Sequence, residues 1–109
     1  MIAKKKILLI SATRGKNYEL AQELKEIIDN TTTVDTAVIS LESYDLPLYM
    51  PGIKTENETA GELSAELENA DGFVFCAPEY NGGLPPILTN AFTWISVTTA
   101  NWRDGFKNK

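Results

Sequence analysis

The amino-acid sequence predicts an α/β fold in which a parallel sheet is covered by helices on both faces. Three apolar runs of strand length alternate with three segments that carry apolar residues at helical spacing. The first and third runs are apolar at every position, as in strands buried between two layers of helices. Because strands and helices alternate strictly, parallel pairing is favoured over an antiparallel meander.

The first half of the chain predicts a strand, a helix and a second strand. Residues 7–10 form a continuous apolar run, and apolar residues recur at helical spacing over about three turns in residues 20–28. Asn17 precedes this helix and is a candidate N-cap. Residues 31–42 are rich in β-branched side chains and include Leu41. Their less uniform apolar character is typical of an edge strand.

The second half predicts a long loop, a helix, a buried strand and a further helix. Residues 43–57 show no period, but they are apolar enough to predict that part of the loop packs against the core or a partner. Helices are expected over residues 58–69 and 87–95, the latter entered through prolines, with a strand over residues 72–77 between them. Cys76, the single cysteine, is predicted to be a reduced, buried thiol in this strand.

Length and composition narrow the functional classes. A chain of 109 residues predicts one domain over residues 1–109. The net charge of −5 argues against a nucleic-acid or anionic membrane surface. The absence of histidine excludes histidine-based catalysis, and no metal site is predicted. With no signal-peptide pattern and no apolar run of about 18 residues, the expected location is cytoplasmic.

Residues 11–17 form a loop with the features of an anion site. They lie between a buried strand and a helix N-terminus, where exposed amides and the helix dipole favour a phosphate monoester. Hydroxyl and amide groups come from Ser11, Thr13 and Asn17, and positive charge comes from Arg14 and Lys16. The spacing is neither that of a Walker loop nor that of a dinucleotide fingerprint. A strand-to-helix turn with polar caps explains the same residues equally well.

Residues 79–83 form a second loop that combines a tyrosine, an asparagine and two glycines. Glycines allow the main chain to approach a flat ligand closely. Backbone N–H and C=O groups could then bond to the edge of a heterocycle. The alternative is a tight turn that carries a tyrosine.

The residues around this second loop resemble a family signature. Residues 78–96 are similar to the pattern P-E-Y-N-[GS]-x-x-P-x-x-L-K-N-A-x-D-W-x-S of the NADPH-dependent FMN reductase family, which includes chromate, quinone and azo-dye reductases. Residues 45–49 (Asp-Leu-Pro-Leu-Tyr) and 70–72 (Ala-Asp-Gly) are similar to two further segments of that family, in the same order.

This resemblance implies a flavodoxin-like three-layer α/β/α fold with strand order 2-1-3, which places the two loops side by side. It implies that the FMN phosphate is held by Ser11, Thr13, Arg14, Lys16 and Asn17. It also implies that the isoalloxazine ring is lined, largely through backbone groups, by Pro78, Glu79, Tyr80, Asn81 and Gly82. FMN would pass hydride from NADPH or NADH to an acceptor, and no catalytic side chain is required.

The chain departs from the family pattern in its first loop and in its extent. Ser11 and Ala12 stand where the family has Gly-Ser, Asn17 stands where a serine is expected, and Thr93 replaces the aspartate before Trp94. The matched segments also stop before the family's fourth strand. We therefore expect a partial domain that lacks the usual fourth and fifth strands.

A sheet of that kind would leave one edge of an apolar strand unpaired, and such an edge templates association. The sequence therefore predicts a homo-oligomer, or pairing with a separately encoded remainder of the fold. The third helix, including Trp94, and residues 44–51 are expected to contribute to that contact.

The expected function is an FMN-binding, NAD(P)H-dependent oxidoreductase of the flavin, quinone or chromate reductase type. Three alternatives remain at this point. The chain could be a flavodoxin-like electron carrier, a non-catalytic remnant that only associates, or a general phosphate- or nucleotide-binding module.

Overall fold

The structure is a computed structural model that describes residues 5–54, 56–78 and 83–98. Within these ranges three strands and three helices alternate along the chain, with one 3₁₀ turn (Leu41–Ser43) after the second strand. The elements are β1 (Lys6–Ser11), α1 (Lys16–Thr31), β2 (Asp35–Ser40), α2 (Glu58–Glu68), β3 (Gly72–Cys76) and α3 (Pro86–Thr98).

The strands form one parallel sheet in the order β2-β1-β3, which confirms the predicted fold class and strand order. The central position of β1 explains its unbroken apolar run, because Leu8, Leu9 and Ile10 are fully buried. In register, Ser11 lies opposite Ser40 of β2 and Cys76 of β3. The three strands therefore end level with one another, and the loops that follow them share one edge of the sheet.

The helices cover the two faces unequally. Leu8 and Ile10 of β1 pack with residues of α2 and α3, including Leu63, Leu67, Leu88 and Ile95. Leu9 points to the opposite face, where it packs with Ala21 of α1 and with Cys76. This alternation along β1 is the period of a strand that is buried on both sides. The clusters form the two cores of a three-layer α/β/α fold.

Several element boundaries differ from the sequence-based expectation. Helix α1 begins at Lys16 with Gly15 at the N-cap position, so Asn17 lies inside the first turn and is not the cap. Leu41 belongs to the 3₁₀ turn and not to β2, because the Ser40 hydroxyl accepts a hydrogen bond from the Glu42 amide and turns the chain there. Helix α3 runs from Pro86 to Thr98, past the predicted end at residue 95.

Part of the long loop between β2 and α2 packs against the core, as predicted. Tyr44 and Leu46 lie against the cluster formed with α2 and α3. The Tyr49 ring meets the Trp94 ring edge-on, with centroids 5.4 Å apart and planes at 87°. Over the part of the chain that the structure describes, no helix is both long and apolar enough to cross a membrane.

Candidate functional site

The two loops that the sequence singled out begin next to each other at the carboxyl edge of the sheet. One residue past the end of β1, the Ala12 amide donates at 2.9 Å to the carbonyl of Cys76, the last residue of β3. The chain then leaves β1 toward α1 and leaves β3 through Ala77 and Pro78. The two loops therefore start side by side at this edge of the sheet.

Only the ends of the second loop fall within the described residues. Pro78 is half-buried and Leu84 is exposed, and Pro85 is buried just before α3. Glu79, Tyr80, Asn81 and Gly82, predicted to line the isoalloxazine ring, lie outside the described residues. Their assignment stays a prediction from the sequence.

In the first loop, Ser11 is buried, unlike the other four residues that were predicted to hold the phosphate. Its side chain is fully buried, and its hydroxyl donates to the Thr13 carbonyl. The Ser11 proton is thus committed within the loop, where it shapes the turn. Thr13 and Asn17 are half-buried, while Arg14 and Lys16 are exposed, so these four side chains border the solvent-facing side of the loop.

The N-terminus of α1 is available to an anion. The Gly15 carbonyl accepts from the Tyr18 and Glu19 amides at 3.0 and 3.2 Å, which leaves the preceding amides of the first turn without an intrahelical partner. Gly15 has no side chain with which to cap them. Exposed amides, the positive end of the helix dipole and the nearby Lys16 charge together favour a phosphate group.

Arg14 contacts a residue that sequence reasoning missed. Its guanidinium Nη2 donates to the Ser43 hydroxyl at 2.6 Å, which joins the loop after β1 to the turn after β2. Ser43 and Arg14 also line an open groove of about 470 Å³, together with Tyr18, Tyr44 and Glu62. The signal that could have found this contact is the strand order, which places the residues after β2 beside those after β1.

Charges of both signs line this groove. Burial, and then the neighbouring Glu66 and Glu62 carboxylates, raise the pKa of the Tyr44 phenol above its ordinary value. Tyr44 is therefore a neutral hydroxyl at physiological pH. The positive charge of Arg14 faces a groove that also contains the Glu62 carboxylate.

Two separate segments of the family signature bind each other. On α3, Asn90 accepts from the Tyr49 amide at 2.8 Å and donates to the Pro47 carbonyl at 3.0 Å. Trp94, one turn further on, donates its indole N–H to the same carbonyl at 2.7 Å. We call these contacts of Asn90 and Trp94 with residues 47–49 the α3 clasp. Its polar groups are mutually satisfied, which gives these signature residues a structural role.

The clasp corrects one expectation about association. Trp94 is fully buried, so it cannot present its ring to a partner. A charged substitution at Trp94 would disrupt the fold and would say nothing about the oligomeric state.

Next to Trp94 lies Thr93, the residue that departs from the family's aspartate. Its hydroxyl donates to the Thr89 carbonyl of the same helix at 3.0 Å.

Cys76 lies at the end of β3 but faces the core. Its side chain packs with Leu9 and Ala21, and burial raises the pKa of the thiol. The predicted buried thiol is confirmed. A protonated, enclosed thiol lacks the properties of a nucleophile.

Comparison with known proteins points to the same family that the sequence resembles. The sequence model of the NADPH-dependent FMN reductase family covers residues 5–109. The chain is 38% identical over 55 residues to a quinone reductase of Escherichia coli K12, covering 48% of this chain and 29% of that protein. It is 31% identical over 81 residues to a 2-hydroxy-1,4-benzoquinone reductase of a Burkholderia species, covering 73% and 42% of the two chains.

A solved structure supports the fold. FerB, a flavoenzyme NAD(P)H:(acceptor) oxidoreductase from Paracoccus denitrificans, superposes with a TM-score of 0.73 at 22% identity. The aligned region covers 96% of this chain and 57% of FerB. The chain spans less than half the length of the two curated relatives above. It shares the fold of the part of FerB with which it aligns. Because the family model matches nearly all of its residues, this chain belongs to the NADPH-dependent FMN reductase family.

Proposed function

We propose that this chain binds FMN at the carboxyl edge of its sheet and takes part in NAD(P)H-dependent reduction of a quinone or a related acceptor. The observation that carries the proposal is the juxtaposition of an uncapped helix N-terminus with the start of the β3–α3 loop, marked by the Ala12–Cys76 hydrogen bond. Open α/β sheets bind ligands where neighbouring strands send their chains to opposite faces. The uncapped helix N-terminus supports a ligand with a phosphate at one end, and the family resemblance supports a flat ring at the other.

The phosphate end would lie at the first turn of α1. We assign it to the free amides of that turn and to the side chains of Thr13, Arg14, Lys16 and Asn17, while Ser11 holds the shape of the loop. The ring end would lie against Pro78 and, following the family resemblance, against Glu79, Tyr80, Asn81 and Gly82. When bound, FMN supplies the hydride chemistry, and the protein supplies position and electrostatics.

Titration of FMN with the 109-residue chain tests the proposal. Stoichiometric quenching of flavin fluorescence, followed by bleaching of the flavin absorbance on addition of NADPH or NADH without oxygen, would support it. Quenching without bleaching would favour the electron carrier. The absence of quenching would contradict the proposal and favour a remnant that only associates.

Charge variants locate the phosphate in the same assay. Lys16→Gln should weaken FMN binding more than riboflavin binding, because riboflavin lacks the phosphate. Lys5→Gln is the matched control, since it removes the same charge just before β1, at the opposite edge of the sheet. Equal effects of the two variants on FMN would contradict an anion site at α1.

We also propose that the chain associates with a second copy through the apolar side chains that the α3 clasp presents. Leu48 and Met50 are 69% and 55% exposed and flank Tyr49, which the clasp holds on α3. Leu84, also exposed, precedes the same helix. Large apolar side chains that are exposed to solvent are typical of a contact surface.

Sedimentation velocity tests this association. The double variant Leu48→Gln, Met50→Gln should shift the protein toward monomer. Ile27→Gln is the control, because Ile27 is 59% exposed on α1, on the other face of the sheet. A wild-type chain that sediments as a monomer would contradict self-association. An effect of Ile27→Gln alone would place the contact on α1.

A further inference from the structure

We propose that Ser43 is a positioning residue that holds the Arg14 guanidinium ready for the phosphate group of the ligand. The inference rests on the proposed function, because it concerns the anion end of the same site. It assigns a role to a residue outside the family signature segments, in the turn after β2.

The hydrogen bond between Arg14 and Ser43 is short, although both residues are exposed. The Arg14 Nη2 to Ser43 Oγ distance is 2.6 Å, and the two residues are 29 positions apart in the chain. A hydrogen bond from a charged donor is shorter and stronger than a neutral one. An exposed arginine that is bound to a distant segment is restricted to a small part of its usual conformational range.

Ser43 is held in place by the 3₁₀ turn to which it belongs. The 3₁₀ turn that carries it is anchored by Leu41, which is buried in the core, and closed by the Tyr44 amide donating to the Leu41 carbonyl at 3.1 Å. At its start, the Ser40 hydroxyl caps the Glu42 amide. Ser40 in turn lies opposite Ser11 in the sheet, so the support is level with the first loop.

The contact prepares Arg14 for an anion in two ways. A guanidinium has five N–H donors, and one bond to Ser43 leaves the others for phosphate oxygens. Prior fixing of a rotamer-rich side chain also reduces the entropy that is lost on binding. Glu62 of α2 lines the same groove, so its carboxylate is a competing acceptor for the guanidinium, and the bond to Ser43 already occupies one of the Arg14 donors.

The test is a double-mutant cycle on the full chain, with dissociation constants for FMN and riboflavin. Ser43→Ala should weaken FMN binding about fivefold, the size of coupling found between contacting residues, and leave riboflavin binding unchanged. Ser43→Thr keeps the hydroxyl and should restore FMN binding. In an Arg14→Gln background, Ser43→Ala should cause no further loss, because the donor is already gone.

Three results would overturn the inference while FMN binding by the wild type stands. They are unchanged FMN binding in Ser43→Ala, equal weakening of FMN and riboflavin, and tighter FMN binding. The last result would mean that Ser43 draws Arg14 away from the phosphate.

A second measurement separates this inference from the proposed function. Inorganic phosphate is titrated into the flavin-free protein while the Arg14 side-chain Nε–Hε signal is followed by NMR. If the wild type does not bind FMN but phosphate shifts this signal, and does so less in Ser43→Ala, the positioning role stands and the flavin proposal fails. An equal response of the two proteins to phosphate would overturn the positioning role.

Discussion

The two faces of the sheet differ in how they are built. On one face, α2 and α3 pack side by side over β1, and Leu63, Leu67 and Ile95 are buried between the helices and the sheet. On the other face, the described residues place α1 alone over the strands, with Ala21 as its buried residue. There, Leu20 and Ile27 of α1 remain largely exposed.

This difference separates stability from the candidate site. The α2/α3 face carries the larger core and the α3 clasp, whereas the α1 face carries the helix whose N-terminus is the proposed anion site. Regions with few buried apolar contacts open at lower free energy than the main core. We therefore expect substitutions on the α2/α3 face to act on global unfolding, and local motion of the site to follow α1.

The largest effect is expected for Trp94→Ala. Trp94 is fully buried, contacts the Tyr49 ring and donates to the Pro47 carbonyl. Its removal should cost about 3–5 kcal/mol of unfolding free energy, as for other large-to-small core substitutions. Urea unfolding measures this change. Trp94→Phe, which keeps a ring but loses the donor, should cost less, and equal losses would mean that the hydrogen bond dominates.

A matched pair of leucines compares the two faces directly. Leu63 of α2 is fully buried, whereas Leu24 of α1 is half-buried at the edge of its cluster. Leu63→Ala should cost about 2–5 kcal/mol, and Leu24→Ala should cost less, because less apolar area returns to water. Both are read from urea unfolding curves. Equal losses would contradict the unequal contribution of the two faces.

The fold was predictable because its signal is local. Uninterrupted apolar runs predicted β1 and β3, helical periodicity predicted α1 and α2, and strict alternation predicted the parallel sheet. The end of β2 was harder to predict, because Leu41 is apolar and continues the strand pattern. Only the Ser40 hydroxyl, through its bond to the Glu42 amide, turns the chain there.

The contacts of the site were less predictable because they join distant segments. Nothing near Arg14 in the sequence points to Ser43, and nothing near Asn90 points to Pro47. Each contact depends on the strand order, or on the path of a loop without regular structure. The family signature marked Asn90 and Trp94 as characteristic residues, but the pattern alone does not distinguish a residue that binds a ligand from one that holds a loop.

A smaller effect is expected on the reaction rate of the Cys76 thiol, which lies on the α1 face of the sheet. Burial raises the pKa of Cys76, so the reactive thiolate forms only at higher pH than in an unfolded chain. We expect Cys76 to react with a disulfide reagent at neutral pH much more slowly than the urea-unfolded protein does. The reaction is followed by absorbance. A rate equal to that of the unfolded chain would show that the α1 face opens readily.

The smallest effect is expected at Asp29, which ties α1 to β2. Its carboxylate accepts from Lys25 at 2.6 Å and from Thr36 at 2.5 Å. The hydrogen bond from Lys25, then that from Thr36, and the Lys25 charge lower the pKa of Asp29 below its ordinary value of 3.8. A lowered folded-state pKa means that the stabilisation is complete above the unfolded value and is lost as pH falls through the folded value.

Thermal unfolding of Asp29→Asn between about pH 3 and about pH 7 tests this tie. The variant should unfold at a slightly lower temperature than the wild type at neutral pH, and the difference should shrink below about pH 4 as the wild-type carboxylate becomes protonated. Glu26→Gln, on the same exposed side of α1, removes an equal charge and is the control. If both variants show the same pH dependence, Asp29 acts only through net charge. The link between α1 and β2 would then depend only on the packing of α1 against the sheet.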